Sequence, residues 1–476
     1  MPASPRPILF VSLPESGLFN PVQTIAGEFA RRGVEDLWFA TDEERRGDVE
    51  SLSAASEVRF APLGDVVPQL SVSTWDDDVY AEVTGPDRFA AHAALIRHTY
   101  DPALHVAKYK RLEQIVDEVR PALMVVESLT AYAVDIAITR GIPFVLVVPF
   151  LPSNYVVSPV PFGHKYTGAD FPVPHSGLSI DMTLRQRVAN RLFRWRTLGI
   201  FLDPAMMRML RKDKRTRAEL GVAPEARKFT AKIDHAALVL VTSLAELDYP
   251  FTVPDNMRMV GALIPPLPQA PDDDSGLDEW LTERGSVVFV GLGTTTRLTR
   301  GQVADFLEVA RRMSGTTSFL WKLSHAQQEL LPDGPLPANV RVESWVPSQL
   351  DVLAHPSVKL FLTHGGGNGF HEGLYFGKPM VIRPLWVDCH DTATRGADFG
   401  VSLTVDPHRS GVDDIERALT RVLTEPSFAE RARHFSGLLR AAGGAAAATD
   451  LVLDLPALAA TPTTPTTPTT DHRARA

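Results

Sequence analysis

Apolar residues recur along the chain in two alternating patterns. Short continuous apolar runs at 8–13, 123–126, 144–148 and 237–242 read as buried strands, and stretches between them repeat at helical spacing. The first helical stretch, 20–32, places Val22, Ile25, Ala26, Phe29 and Ala30 on one face and stops at Gly33. A second runs over 130–140 and stops at Gly141. Continuous apolar strands alternating with amphipathic helices predict a parallel sheet covered on both faces. The pattern lapses at 158–217, where Pro-, Gly- and His-containing sequence leads into a basic helical pattern over 183–217. That placement fits a lid or acceptor-side insertion. Over 263–275 the sequence turns Pro-rich and acidic, as in an interdomain linker. The alternation then restarts with strands at 287–290, 319–322 and 358–362 and helices at 302–313, 368–376, 413–423 and 427–442. The expected class is α/β, with an N-terminal unit over 1–262, a C-terminal unit over 276–442 and a terminal segment over 443–460. The Pro/Thr repeat at 461–476 has no core-forming residues and is expected to be disordered.

Bulk properties narrow the function. A length of 476 residues exceeds what one core holds. The net charge of −9 argues against a nucleic-acid partner. The one cysteine, Cys389, excludes an internal disulfide framework and suits a reducing, cytoplasmic setting. The apolar run after the N-terminus is too short for a signal peptide, and none of about 20 residues occurs, so no membrane partner is expected. The histidines are scattered outside metal-ligand spacing, so no metal is expected.

The strongest chemical signal is Thr363-His364-Gly365-Gly366-Gly367-Asn368-Gly369-Phe370-His371-Glu372-Gly373. A Gly-rich turn between strand and helix presents backbone N–H groups to an anion. His364 adds a donor, and Glu372, one turn in, suits a diol such as ribose. Together with Trp345-Val346-Pro347, Asp351 to Pro356, Gly377-Lys378-Pro379 and Pro384-Leu385-Trp386-Val387-Asp388, this run resembles the signature of the UDP-glycosyltransferase superfamily. A generic phosphate turn explains the glycines but not the ordered anchors around them.

The resemblance implies two doubly wound Rossmann-like domains facing a cleft (the GT-B fold) and an inverting, metal-independent transfer of a hexose from a UDP-sugar to a small-molecule acceptor. It gives Trp345 the uracil, His364, Gly366, Asn368 and Gly369 the diphosphate and sugar, Glu372 the ribose hydroxyls, and Asp388 the transferred sugar. Gln349 stands one place later than the family glutamine, because Ser348 intervenes. Cys389 stands where glutamine is usual, and a thiol is a weak hydrogen-bond partner. Gly293 and Thr294 resemble a strand-end loop against the diphosphate. No cofactor is implied, the UDP-sugar being a co-substrate; a dTDP-sugar is the second choice of donor, and the protein is expected as a monomer or homodimer. Animal members carry a C-terminal anchor. Here the Ala-rich stretch from Ala445 is interrupted by Asp450, Asp454 and Pro456, and no anchor is expected.

The acceptor half departs from the family. Its loop after the first strand usually reads Gly-His-x-Asn-Pro, with the histidine as general base. Here Gly17, Asn20 and Pro21 match, Leu18 takes the histidine place, and Gly17, Leu18 and Phe19 are the expected acceptor contacts. Glu127 stands where the orienting aspartate is usual. Three readings follow: the acceptor is an amine or already ionised and needs no strong base; Glu127 or Glu15 substitutes; or the protein binds donor without catalysing, as a partner of another glycosyltransferase. A nucleotide-sugar epimerase or hydrolase on the same fold is the remaining rival.

Overall fold

The structure is a computed structural model that describes residues 6–228, 230–268, 275–346 and 348–458. Two fully parallel sheets carry it. The first contains β1 (Ile8–Val11), β2 (Leu37–Thr41), β3 (Val58–Pro62), β4 (Leu123–Glu127), β5 (Phe144–Val148), β6 (Leu238–Val241) and β7 (Met257–Met259), in the order β3-β2-β1-β4-β5-β6-β7. The second contains β8 (Val287–Gly291), β9 (Ser318–Lys322), β10 (Val340–Glu343), β11 (Val358–Thr363), β12 (Met380–Ile382) and β13 (Ser402–Thr404), in the order β10-β9-β8-β11-β12-β13. The central strands β1, β4 and β8 are buried on both faces, which is why the sequence reads there as unbroken apolar runs.

Strand order reverses between β1 and β4 in the first sheet and between β8 and β11 in the second. In an open parallel sheet, ligand crevices form at the carboxyl ends of strands where the order reverses. Those four strand ends carry Glu15 to Leu18, Glu127, Gly291 to Thr294 and His364 to Gly366.

Several elements differ from the pattern-based expectation. The first helix spans Ser16–Arg31 rather than starting at residue 20, because Gly17 and Leu18 already follow helical geometry beyond Glu15. The basic stretch expected over 183–217 is two helices, Leu184–Leu202 and Pro204–Glu219, broken where Asp203 caps the second and Pro204 begins it. After Pro426–Ala441 the chain crosses back. The helix Gly444–Leu453 packs Ala448 and Val452 against Phe29 and Ala30 of the first half, with Arg32 paired to Asp450 at 2.5 Å. In exchange, Leu244, Leu247 and Ala262 enter the core of the second sheet. The Pro/Thr repeat and residues 269–274 lie outside the described residues.

The two halves are fastened through the helix Val387–Asp398. The Asp391 carboxylate accepts from the His175 and Gly177 amides at 2.6 and 2.8 Å and from Asn154 Nδ2 at 2.9 Å. One turn on, Arg395 pairs with Asp248 at 3.2 Å, both side chains almost fully buried, and Arg395 also donates to Ser153 Oγ at 3.2 Å. Asp248 accepts from the Ser153 amide and hydroxyl at 2.7 and 2.9 Å. Tyr249 donates its hydroxyl to Asp398, and Ser179 donates to the same carboxylate at 2.6 Å. A second clasp joins the loop after β8 to the segment after β3. Arg297 donates to the carbonyls of Val72 and Trp75 and pairs with Asp77 at 2.8 Å.

Replacing Arg395 by Ala strands the Asp248 carboxylate in a dry interface. The expected loss is about 3–5 kcal/mol of unfolding free energy, read by chemical denaturation. Replacing Arg421 by Ala, whose partner Glu425 is solvent-exposed, is expected to leave the denaturation midpoint almost unchanged. Equal effects would show that the Arg395 network is not what fastens the halves.

Candidate active site

The helix Gly367–Tyr375 begins directly at the crevice. Gly366 caps it without a side-chain bond, so its leading amides have no partner from a capping side chain. The turn before it tolerates no side chain. Gly365 has φ +82°, and a Cβ there would lie 2.8 Å from Ile382 Cγ2 and 3.1 Å from the Cys389 carbonyl oxygen. The His364 ring fills the space beside two other glycines. A Cβ on Gly366 would lie 2.5 Å from its Nε2, and one on Gly293 would lie 2.6 Å from its Cε1. His364 is thereby clasped between the turn after β8 and the turn after β11. Burial pushes its pKa down to about 4, so the imidazole is neutral at pH 7, and its Nδ1 has no hydrogen-bond partner. Gly293 and Thr294 are exposed.

Beside this turn lies a second cluster. Gln349 Nε2 donates to Glu372 Oε2 at 2.7 Å. Burial raises the Glu372 pKa, opposed by the Gln349 bond and by the Lys322 charge. Lys322 Nζ stands 4.3 Å from the centre of the Trp345 ring, which is 66% exposed. An open aromatic face, a cation and a half-buried carboxylate thus meet at the carboxyl end of β9. Asp388 opens the helix Val387–Asp398, and its pKa is pushed up to about 7, by burial first and by Asp391 second.

The helix Gly367–Tyr375 also bridges the two halves. Gly367 is pressed on the Pro149 carbonyl with no room for a Cβ. His371 joins Ser243 Oγ through Nε2 and the Gly367 carbonyl through Nδ1, both at 2.7 Å. Asn368 Nδ2 donates to the Gly17 carbonyl at 3.2 Å. That carbonyl is available because Pro21, four residues on within the same helix, has no N–H to give it. The Asn20-Pro21 pair therefore leaves an acceptor where the other half reaches across.

In the first half, Glu127 is fully buried at the end of β4. Its carboxylate accepts from the Leu129 amide at 2.8 Å and from the Ser128 and Thr130 hydroxyls at 3.0 and 3.1 Å. Burial lifts its pKa to about 7 against those bonds and the Lys232 charge. Glu15 is only half-buried, and burial raises its pKa against its own amide and Ser71. The Tyr132 hydroxyl, which feels the charge of both carboxylates, is buried and unpartnered, as is that of Tyr155.

Two expected contacts take other roles. Phe19, expected at the acceptor, is fully buried against Phe39 at 5.3 Å, on the core face of its helix. Cys389, expected at the donor sugar, packs with Trp75, Tyr80 and Leu385, where its thiol stays protonated. A Cβ on Gly369 would meet Phe361 of β11 at an ordinary 3.6 Å; the helix is pressed closest to β11 at Gly373, where a Cβ would lie 3.1 Å from the Phe361 ring. Gly17 and Leu18, expected in a loop, lie in the first turn of the helix Ser16–Arg31, Gly17 exposed and Leu18 half-buried. Sequence reading missed Lys322, Asp391, Arg395 and the Asn368 bridge. The spacing of Asp391 and Arg395 on one helical face was the only available signal. Among the described residues no group of three His, Cys, Asp or Glu side chains is placed to hold a metal.

Comparison with known proteins agrees with this arrangement. The model of the family described as UDP-glucoronosyl and UDP-glucosyl transferase matches residues 72–441. UDP-glucuronosyltransferase 2B16 of Oryctolagus cuniculus is 30% identical over 295 residues, covering 62% of this chain and 54% of that protein. UDP-glucuronosyltransferase 2B7 of Homo sapiens is 28% identical over 338 residues, covering 70% and 60%. The chain thus spans about half to three fifths of the length of these curated relatives. Among solved structures, the glycotransferase of kitacinnamycin superposes with TM-score 0.66 at 22% identity, over 94% of this chain and 99% of that one. UDP-glucose: anthocyanidin 3-O-glucosyltransferase in complex with UDP does so with TM-score 0.64 at 19% identity, over 95% and 98%. The two-domain GT-B fold is shared with both.

Gly365→Ala is expected to destabilise the protein by about 2–4 kcal/mol, from left-handed strain and overlap with Ile382. Gly17→Ala, with open space around its Cβ, is expected to be neutral or to stabilise by up to about 1 kcal/mol. Thermal unfolding of both variants checks the contrast. Similar melting temperatures would contradict it.

Proposed function

The chain belongs to the UDP-glucoronosyl and UDP-glucosyl transferase family, and from that premise we propose that it moves a hexose from a UDP-sugar to a small-molecule acceptor with inversion. The observation that carries this reading is the clasp of His364 between two glycine turns at an uncapped helix N-terminus, with Trp345, Lys322, Gln349 and Glu372 alongside. In this reading the diphosphate lies against the helix amides and the Gly293–Thr294 turn, the uracil against Trp345, and the ribose diol against Glu372. A diol-gripping carboxylate favours UDP over a deoxyribose donor. The acceptor atom attacks the anomeric carbon, the bond from that carbon to the diphosphate oxygen breaks, and UDP leaves with the electron pair. Oriented amides stabilise the charge that develops on it. This arrangement asks for no metal.

Glu15 is the better supported base. Glu127 is enclosed and engaged by three donors from its own turn, whereas Glu15 stays half-open beside Gly17, next to the donor half. A base works only when ionised. Its raised pKa places the rising limb of kcat/KM above the ordinary glutamate range, with activity lost as pH falls through that value. Leu18 favours one second reading, a donor-binding partner that does not catalyse.

The test is UDP release and product mass spectrometry with UDP- and dTDP-sugars against phenols, alcohols and amines. Glu15→Gln is expected to lower kcat by about 10²-fold or more and to remove the pH limb, and Glu127→Gln to cost under about tenfold. Transfer unaffected by Glu15→Gln would assign the reaction to an acceptor needing no base. UDP binding without transfer, with activity appearing in Leu18→His, would select the second reading.

A further inference from the structure

The helix Leu184–Leu202 is amphipathic in an unusual sense. One face, Asn190, Phe193, Thr197 and Ile200, is buried in the protein. The opposite face exposes Leu184, Val188, Leu192, Trp195 and Leu202, with Leu184 80% and Trp195 61% accessible. At roughly 100° per residue these five fall within an arc of about 80°, along roughly 27 Å of helix. Such a stripe on a folded surface marks a contact. Arginines flank it on both sides, Arg185 and Arg196 on one and Arg187 and Arg191 on the other. Arg191 pairs with exposed Asp170, Arg196 stacks on Phe89, and Arg187 donates to the Met182 carbonyl. The helix that follows exposes Arg208, Arg211, Lys214 and Arg215, and no ion pair among the described residues engages these four. Over 184–219 there are eleven Lys or Arg against three Asp or Glu, in a chain whose net charge is −9. Positive charge is therefore concentrated where the apolar stripe is. At the start of the stripe a cavity of about 280 Å³ opens between Phe171, Ile180 and Met182.

We propose that Leu184–Leu202 docks on an anionic phospholipid bilayer, lying in its surface with Trp195 and the leucines in the headgroup–acyl boundary. The occupant follows from the charge pattern. A second copy of this chain would bring arginines against arginines on both flanks. A bilayer matches a long, open apolar stripe followed by a helix whose exposed Arg208, Arg211, Lys214 and Arg215 are available to lipid phosphates. Among the described residues no helix is long and apolar enough to cross a membrane. Lying on a bilayer needs no such helix, and the proposal departs here from the expectation of no membrane partner. The residues of the donor crevice take no part in this contact.

The experiment is vesicle flotation of the full chain with phosphatidylcholine alone and with about one third phosphatidylglycerol. The protein is expected to float with the anionic vesicles at low salt, to be released by high salt, and to stay behind with neutral ones. Val188→Gln/Trp195→Gln is expected to weaken anionic binding by about tenfold or more, as is Arg208→Gln/Arg211→Gln/Arg215→Gln. All these positions are exposed, and unchanged UDP binding would show that the variants fold. Failure of the wild type to float with anionic vesicles overturns the proposal, and so does flotation indifferent to Val188→Gln/Trp195→Gln. Dimerisation in light scattering that this pair abolishes would give the stripe to a second copy and equally overturn it.

Discussion

The leading amides of Gly367–Tyr375 are the constraint around which the crevice is organised. A helix buried at its N-terminus must find partners for N–H groups that its own carbonyls cannot reach. Here the cap is a glycine that offers no side chain. The surrounding residues are arranged to bring the chain close without covering the amides. Gly365 and Gly293 take left-handed conformations, and His364 occupies the room that side chains on Gly293 and Gly366 would need. A helix N-terminus left open in this way is suited to an anion.

That helix is useful only if the other half meets it correctly, and the interface is polar in a directed way. Asn368 takes the carbonyl that Pro21 frees, His371 takes Ser243, and Asp391 gathers two amides and an asparagine. Each reaches from one half onto polar groups of the other, which fixes distance better than apolar contact does. The buried Arg395–Asp248 pair adds a penalty for separation, since parting the halves without hydrating both ions is costly. The returning helix Gly444–Leu453 and the exchanged Leu244 and Leu247 weave the two cores together.

Much of this was legible in the chain. Doubly buried strands announce themselves as apolar runs, and β1, β4, β5, β6, β8, β9 and β11 all stand where those runs predicted. The glycine turn stood out for a physical reason: close backbone approach demands glycine, and Gly293, Gly365 and Gly366 have no room for a side chain. The loop of the first half was harder. Phe19 sits beside Leu18 in sequence, yet one step along a helix rotates a side chain by about 100°, enough to turn it into the core. Cys389 follows Asp388 by the same step and is likewise turned inward. The Arg395 network depends on which loops from the first half lie against one helix, and no local pattern encodes that. Glu127 was ambiguous because a carboxylate that caps a turn and one that takes a proton look alike until its donors are counted.

The most direct test of the central claim is isothermal titration with UDP and with uridine. If the open helix amides and the two glycine turns are a diphosphate seat, UDP binds and uridine, which keeps the base and ribose proposed for Trp345 and Glu372 but lacks the phosphates, binds at least about 100-fold more weakly. Equal affinity for the two, or no binding of UDP, would contradict the account.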